Sequence, residues 1–480
     1  MLGALGTPRG LYRELVRLGW PVLVAQLAVM ANNVIDTIMA GRYGTLDLAA
    51  VGIGSSIYFS VFVSLMGVLL ALTPIVAHLY GAGRHADIGE ELRQSAWLAA
   101  ALALIALLLF AWPDPFLAVA RLEPALEAKV RAYLHALAWS VPASLLFRVF
   151  YSFSTAISRP RTVMALTLVG LVLKVPLNWV FMYGNLGAPE LGSTGCAVAT
   201  AIVSWIVCAL AWAWCWFEPA YRPYRLFARW SPPDAKALGR IVSLGLPIGL
   251  TFLIDVTGFT FMALFIARLG ALYSAAHQIA ANLAALTFML PLALGNAASV
   301  VVGQSLGAHR YARARAAGIA GIVLALACAA IIGAGMYVFA SGIAGLYTGD
   351  PDLRRVAAGL LAFVAVYHLF DAVQAVVVNV LRGYKRAVVP MLIYAVALWG
   401  VGLGGGYAIG LTPIDLSWLG LHPFGLDLPG LHASGLNTPM GAPGFWLAAI
   451  ASLALASTLV TAYFLSVSRV PADDRGGALL

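Results

Sequence analysis

Residues 241–267 read IVSLGLPIGLTFLIDVTGFTFMALFIA, 27 residues whose one charged side chain is Asp255. As a helix this run is about 40 Å long, more than the roughly 30 Å of hydrocarbon in a bilayer. Comparable runs lie on both sides of it, at 16–40, 48–77, 94–112, 131–156, 162–184, 195–217, 274–302, 315–340, 355–381, 388–411 and 443–467. Twelve membrane spans explain the composition. The chain is 62% hydrophobic and 10% charged, whereas a soluble protein carries about 25% charged residues. The first run follows Arg9, Arg13 and Arg17 without a small-residue cleavage pattern. It is therefore expected to be a retained span and not a signal peptide.

Charge placement tests the span count. With the N-terminus placed in the cytoplasm, the inner segments hold 20 Lys and Arg and the outer segments 7, and Arg148 and Lys174 fall within spans. That asymmetry follows the positive-inside rule and places both termini in the cytoplasm. The net charge of +9 is thus a topology signal, and no nucleic-acid partner is expected. Cys196, Cys208, Cys215 and Cys328 lie within spans without metal-ligand spacing and read as packing residues.

The chain repeats at an offset of 226 residues. Leu18-Gly19-Trp20-Pro21 matches Leu244-Gly245-Leu246-Pro247, Arg42 and Gly44 match Arg268 and Gly270, and Gly81-Ala82 with Arg84 matches Gly307-Ala308 with Arg310. Six spans per period put both halves into the membrane from one side, related by an axis along its normal, with a site between them. The expected fold is all-α: two pseudo-symmetric six-helix lobes, 1–217 and 241–468, around a central cavity. Residues 218–240 form a solvated cytoplasmic linker, 412–442 an outer loop packed as a cap, and 469–480 a cytoplasmic tail.

Asp36, Asp255 and Asp371 lie inside apolar spans, while the other 17 acidic residues fall at span ends, in loops or in tails. A carboxylate within lipid is costly and survives facing a polar interior with work to do. Burial raises a carboxyl pKa and a nearby cation or a watery opening lowers it, so such a group loads and releases an ion between two states. Asp255 and Asp371 suit either a hard cation such as Na+ or a coupled proton site. Asn178, Gln278, Gln374, Tyr367 and His368 are candidate cavity residues. Pro21 and Pro247, at repeat-equivalent places, are candidate hinges, although prolines near a helix start are ordinary in membrane helices. Arg148 and Lys174 read as structural or snorkelling side chains, and His277 as a cap or a proton relay.

Several of these stretches resemble one family. Ala275-Ala276-His277-Gln278-Ile279-Ala280 through Phe288-Met289-Leu290-Pro291-Leu292 and Gly303 is similar to the eighth-helix signature of the multidrug and toxic compound extrusion (MATE) family, in its NorM-like bacterial branch. Asp36-Thr37-Ile38-Met39-Ala40-Gly41 resembles the first-helix motif. Lys174-Val175-Pro176-Leu177-Asn178 resembles the fifth, and Phe370-Asp371-Ala372-Val373-Gln374 the tenth. The resemblance implies two lobes around a V-shaped cavity and export of cationic drugs in exchange for Na+ or H+. It places Asp36 at the N-lobe acidic position and Asp255 and Asp371 at two C-lobe positions. The chain departs from the branch at Asp255, commonly Glu, at Val301, often Arg, and at Arg386, frequently Asp.

An enzyme is not expected. Asp36, Asp255 and Asp371 lack the neighbouring Gly of an intramembrane acid protease, and no His/Cys metal set or nucleotide loop is present. The expected activity is secondary antiport of amphipathic organic cations by alternating access, by a monomer in the lipid bilayer, with no cofactor beyond the coupling Na+ or H+. The alternative is a lipid-linked precursor flippase or another polytopic transporter of this two-lobe plan. A flippase should line its cavity with several arginines, and the spans offer Arg148 against three acids.

Overall fold

The structure, a computed structural model, describes residues 8–120, 122–228, 231–412 and 439–469. Among them all regular structure is helical. The first lobe comprises α1 (Pro8–Tyr43), α2 (Thr45–Leu69), α3 (Leu72–Gly81), α4 (His85–Ala111), α5 (Asp114–Ala120), α6 (Pro124–Ala138), α7 (Ser140–Ala156), α8 (Pro160–Tyr183) and α9 (Ser193–Phe217). The second comprises α10 (Ala235–Ala267), α11 (Ala271–Gly307), α12 (Tyr311–Val338), α13 (Ala340–Tyr347), α14 (Pro351–Gly383), α15 (Val388–Ala395), α16 (Gly405–Leu411) and α17 (Ala442–Val467). Eleven runs are long and apolar enough to cross a membrane, and the pair α6–α7, bent by 42°, makes a twelfth. The expected cap falls largely on 413–438 and the expected tail on 470–480, both outside the described residues.

The 226-residue repeat is physical. The second span of each lobe, Thr45–Gly81 and Ala271–Gly307, is 37 residues long, and the two are displaced by that offset. Two differences set the lobes apart. The first lobe breaks its fourth span at Trp139, where α14 runs unbroken. The second opens a wide π-helical turn at Val396–Gly404, where α8 is regular. Gly400, Gly402 and Gly404 lower the steric cost of that turn, a feature frequent at functional sites.

The lobes meet on the face that carries the linker, and they meet symmetrically. A Cβ at Gly81 would collide with the Gln304 carbonyl, and one at Gly307 with the His78 carbonyl. A Cβ at Gly67 would lie 2.6 Å from the Gly249 Cα. His78 Nε2 bonds the Gly383 carbonyl at 2.8 Å, and its repeat-equivalent Gln304 donates to the Ala156 carbonyl at 2.7 Å. Glu14 on α1 pairs with Arg313 on α12 at 2.8 Å, and Glu91 on α4 pairs with Arg240 on α10 at 3.1 Å. Each pair joins the first helix of one lobe to the third span of the other, with the charges reversed. Glycines here are thus a condition of closure. Gly81→Val should hold this face apart, read as faster labelling of a cysteine placed at Ser243 together with loss of export. Unchanged labelling would count against it.

Two expectations need correction. The linker is exposed along most of its described length but anchored at points: Tyr221 and Tyr224 are buried, Arg93 donates to the carbonyls of Arg225 and Leu226, and Gln94 donates to that of Pro232. Main-chain carbonyls of the connection are satisfied by α4, which fixes its path. Pro21 and Pro247 do not sit near helix starts, because α1 and α10 begin at Pro8 and Ala235. Both prolines lie more than three turns in and remove a helical hydrogen bond there. The span expected from 131 begins at Pro124 and is bent.

Candidate functional site

In the first lobe, α8 presents Lys174 and Asn178, four residues apart and therefore on one face, to α1. Lys174 Nζ lies 3.1 Å from Asp36 Oδ1, and Asn178 Nδ2 donates to the same oxygen at 2.8 Å. The ammonium also donates to the Cys196 carbonyl at 3.2 Å and to the Thr200 hydroxyl on α9. Lys174 is 2% exposed and Asn178 fully buried. Lys174 therefore does not snorkel. It neutralises Asp36 inside the lobe with its donors directed at three acceptors, the arrangement a buried ammonium requires. Asp47, another buried acid, is likewise held, by Lys129 at 2.9 Å and the Ser193 amide at 2.8 Å.

The second lobe differs. Asp255 on α10 accepts from the Tyr394 hydroxyl on α15 at 2.5 Å. Tyr394 stands immediately before the π-helical turn. Asp371 on α14 is 7% exposed, one turn from the buried Tyr367, and lies within electrostatic reach of Asp255. Among the described residues no basic side chain comes within ion-pair distance of either carboxylate. Arg148, read as structural or snorkelling, pairs with neither acid. Tyr367 packs edge-on against Phe259 at 6.3 Å and Trp446 at 5.5 Å, giving the acids an aromatic wall. Two carboxylates that interact in apolar surroundings cannot both ionise cheaply.

The remaining candidates divide. Gln374 is buried and Gln278 exposed. His368 is buried with neither ring nitrogen bonded, so it does not bond Asp371. His277 is no cap: it is buried against Trp446, ring centres 5.7 Å apart. Three residues escaped the reading of the sequence. Tyr394 carries no motif signal, Thr200 needs the α8–α9 packing, and Arg382 sits in what looked like a loop. Arg382 is in fact a buried residue of the last turn of α14, so Arg148 is not the lone interior arginine.

Comparison with known proteins decides the family. The MatE family profile matches residues 21–180 and again 247–408, two copies that start 226 residues apart at Pro21 and Pro247. The chain belongs to the MATE family. A probable multidrug resistance protein NorM of Aromatoleum aromaticum is 43% identical over 440 residues, 92% of this chain and 91% of that one. A multidrug resistance protein NorM of Aliivibrio fischeri is 35% identical over 458 residues, 95% of each. The MATE transporter VcmN of Vibrio cholerae in its bent form superposes with a TM-score of 0.79 at 21% identity, covering 96% of this chain and 98% of that one. MATE proteins are secondary transporters, not enzymes, which agrees with a multi-pass helical chain. Within the MATE fold, the paired acid belongs to the first lobe and the unpaired acids to the second.

Proposed function

We propose that this MATE protein exports amphipathic organic cations from bacteria across the inner membrane in exchange for Na+ or H+. The observation that carries this reading is the contrast between lobes: Asp36 is ion-paired, whereas Asp255 and Asp371 lie within electrostatic reach of each other and, among the described residues, have no basic partner. An unpaired acid pair in a nonpolar slab has affinity for any cation that reaches it. The coupling ion and a cationic cargo compete for that charge, and the half-buried Phe259, backed by the buried Tyr367 and Trp446, offers an apolar face to the cargo. Asp36 with Lys174 contributes a second charged element, held by Asn178, and the exposed Gln278 serves as polar lining. NorM and multidrug resistance proteins among the relatives support a drug cargo.

Alternating access is supported by the symmetric seam. Lobes 1–217 and 241–468 act as rocking units joined by 218–240, with both termini in the cytoplasm and one chain sufficing. The Glu14–Arg313 and Glu91–Arg240 pairs latch the linker face closed, and opening requires both to part. Pro21 and Pro247 weaken α1 and α10 where these helices leave the seam, so the bend is available to the transition. Pro21→Ala should slow export several-fold without lowering stability, measured as ethidium efflux alongside thermal unfolding. Full transport would remove the hinge role.

The proposal as a whole is tested by substrate efflux from proteoliposomes under separate Na+ and H+ gradients. One gradient should accelerate efflux of tetraphenylphosphonium. Equal efflux with neither gradient present would overturn coupled antiport.

A further inference from the structure

Between the lobes, on the linker face, lies a partly enclosed cavity of about 600 Å³. Half of its lining comes from each lobe: α3, α4 and the turn before α4 on one side, α10, the start of α15 and the turn before it on the other. Ile75, Leu79, Leu244 and Val388 give it an apolar wall. Its charges do not balance. Arg84 pairs with Asp87 at 2.7 Å, Arg240 pairs with Glu91 at 3.1 Å, and Glu90 is held by Arg93 at 2.7 Å and Gln94 at 3.0 Å. Every acid in the wall is thus answered. Lys385 is not: among the described residues its ammonium makes no ion pair or hydrogen bond. Glu91 is within electrostatic reach of it but is already taken by Arg240. Arg84 and Arg240 each spend one nitrogen on their acid, and a guanidinium has five N–H donors. Arg84 and Lys385 stand in turns between spans, and Arg240 lies in the second turn of α10. These bases are therefore at the depth of lipid headgroups. The turn that carries Lys385 is fixed from the other lobe, because His78 Nε2 bonds the Gly383 carbonyl at 2.8 Å.

We propose that this cavity binds an anionic phospholipid of the leaflet bordering the linker face. The single negative charge of a phosphodiester matches the one unanswered cation, Lys385, and the spare donors of Arg84 and Arg240 offer hydrogen bonds to its oxygens. An acyl chain leaves along Ile75, Leu79, Leu244 and the half-exposed Val388. A zwitterionic lipid brings its own ammonium to a wall whose acids are already paired, so it binds less well. Because Arg84 belongs to one lobe and Arg240 and Lys385 to the other, the site is complete only while the linker face is closed. Bound lipid favours that state, and membrane composition thereby biases the resting position of the lobes. The link to a transport cycle rests on the reading above, whereas the lipid site does not.

The test equilibrates purified, delipidated full-length protein with three probes and reads bound lipid by native mass spectrometry: phosphatidylglycerol, phosphatidylcholine with the same chains, and glycerophosphoglycerol, the bare headgroup. Wild type should bind phosphatidylglycerol roughly fivefold or more tighter than phosphatidylcholine, as one basic group meeting an anionic lipid provides, and the bare headgroup more weakly than the whole lipid. Lys385→Gln should remove that preference and Lys385→Arg should keep it. Arg386→Gln changes the exposed neighbour outside the cavity wall and should leave the preference intact. Gly81→Val, which parts the seam, should lose it. Equal wild-type affinity for the two lipids would overturn the proposal even if every variant failed to fold. A preference unchanged by Lys385→Gln, or lost equally in Arg386→Gln, would assign it to general surface charge and overturn the site. Binding of the bare headgroup as tight as that of the lipid would assign the cavity to a soluble phosphodiester. A preference retained in Gly81→Val would show that one lobe suffices and remove the link to the closed state. None of these readouts depends on transport, so a failure of cation export leaves the site standing.

Discussion

Asp371→Asn is expected to abolish drug export while the protein remains folded and inserted. The side chain is buried, has no cationic partner among the described residues, and lies within electrostatic reach of Asp255. Asn keeps the volume and removes the charge that a proton, Na+ or cargo cation must meet. Stability should change by less than about 1 kcal/mol, because no ion pair is broken and a costly buried carboxylate is removed. Asp255→Asn should act alike, with the added loss of the Tyr394 bond. Asp255→Glu should retain export, since the carboxylate stays within reach of Tyr394. Ethidium efflux from cells, with size-exclusion profiles of the purified variants, checks each. Normal export by Asp371→Asn removes the coupling role.

Lys174→Met has the largest expected effect on stability. Among the described residues Asp36 would lose its one ion-pair partner and keep only neutral donors, the Asn178 amide and the Cys196 thiol. Leaving one partner of a buried pair uncompensated costs about 3–5 kcal/mol. Replacing both members removes the need for either, so Asp36→Asn together with Lys174→Met should recover most of that loss. Unfolding in detergent measures the three variants. If Lys174→Met melts like wild type, the ammonium is solvated and the pair does not hold the lobe. The double variant should remain stable yet export poorly, which separates a structural from a transport role for Asp36.

Much of the architecture was legible because membrane insertion imposes simple rules. Apolar run length sets the spans, and a constant offset between Leu18–Pro21 and Leu244–Pro247 shows the two lobes. The acids were legible because a charge in lipid is conspicuous. Their difference in pairing was not. Lys174 and Asn178 are four apart, yet only the packing of α8 on α1 shows that they reach Asp36. Tyr394 could not be found by spacing, because the π-helical turn that follows it places neighbouring side chains off the regular helical register. Arg382 was misplaced because a basic residue at a span end ordinarily reaches for water, whereas here α10 covers it with Phe252. The prolines were misjudged for a related reason: α1 and α10 begin well before their apolar runs do.

The most direct measurement is ion release on cargo binding, made on purified protein by titrating tetraphenylphosphonium and recording displaced protons or Na+. Wild type should release its ion as cargo occupies the site, and Asp371→Asn should release none. Cargo binding without any ion release from wild type, or equal release from Asp371→Asn, would show that the acid pair is not where the two cations compete.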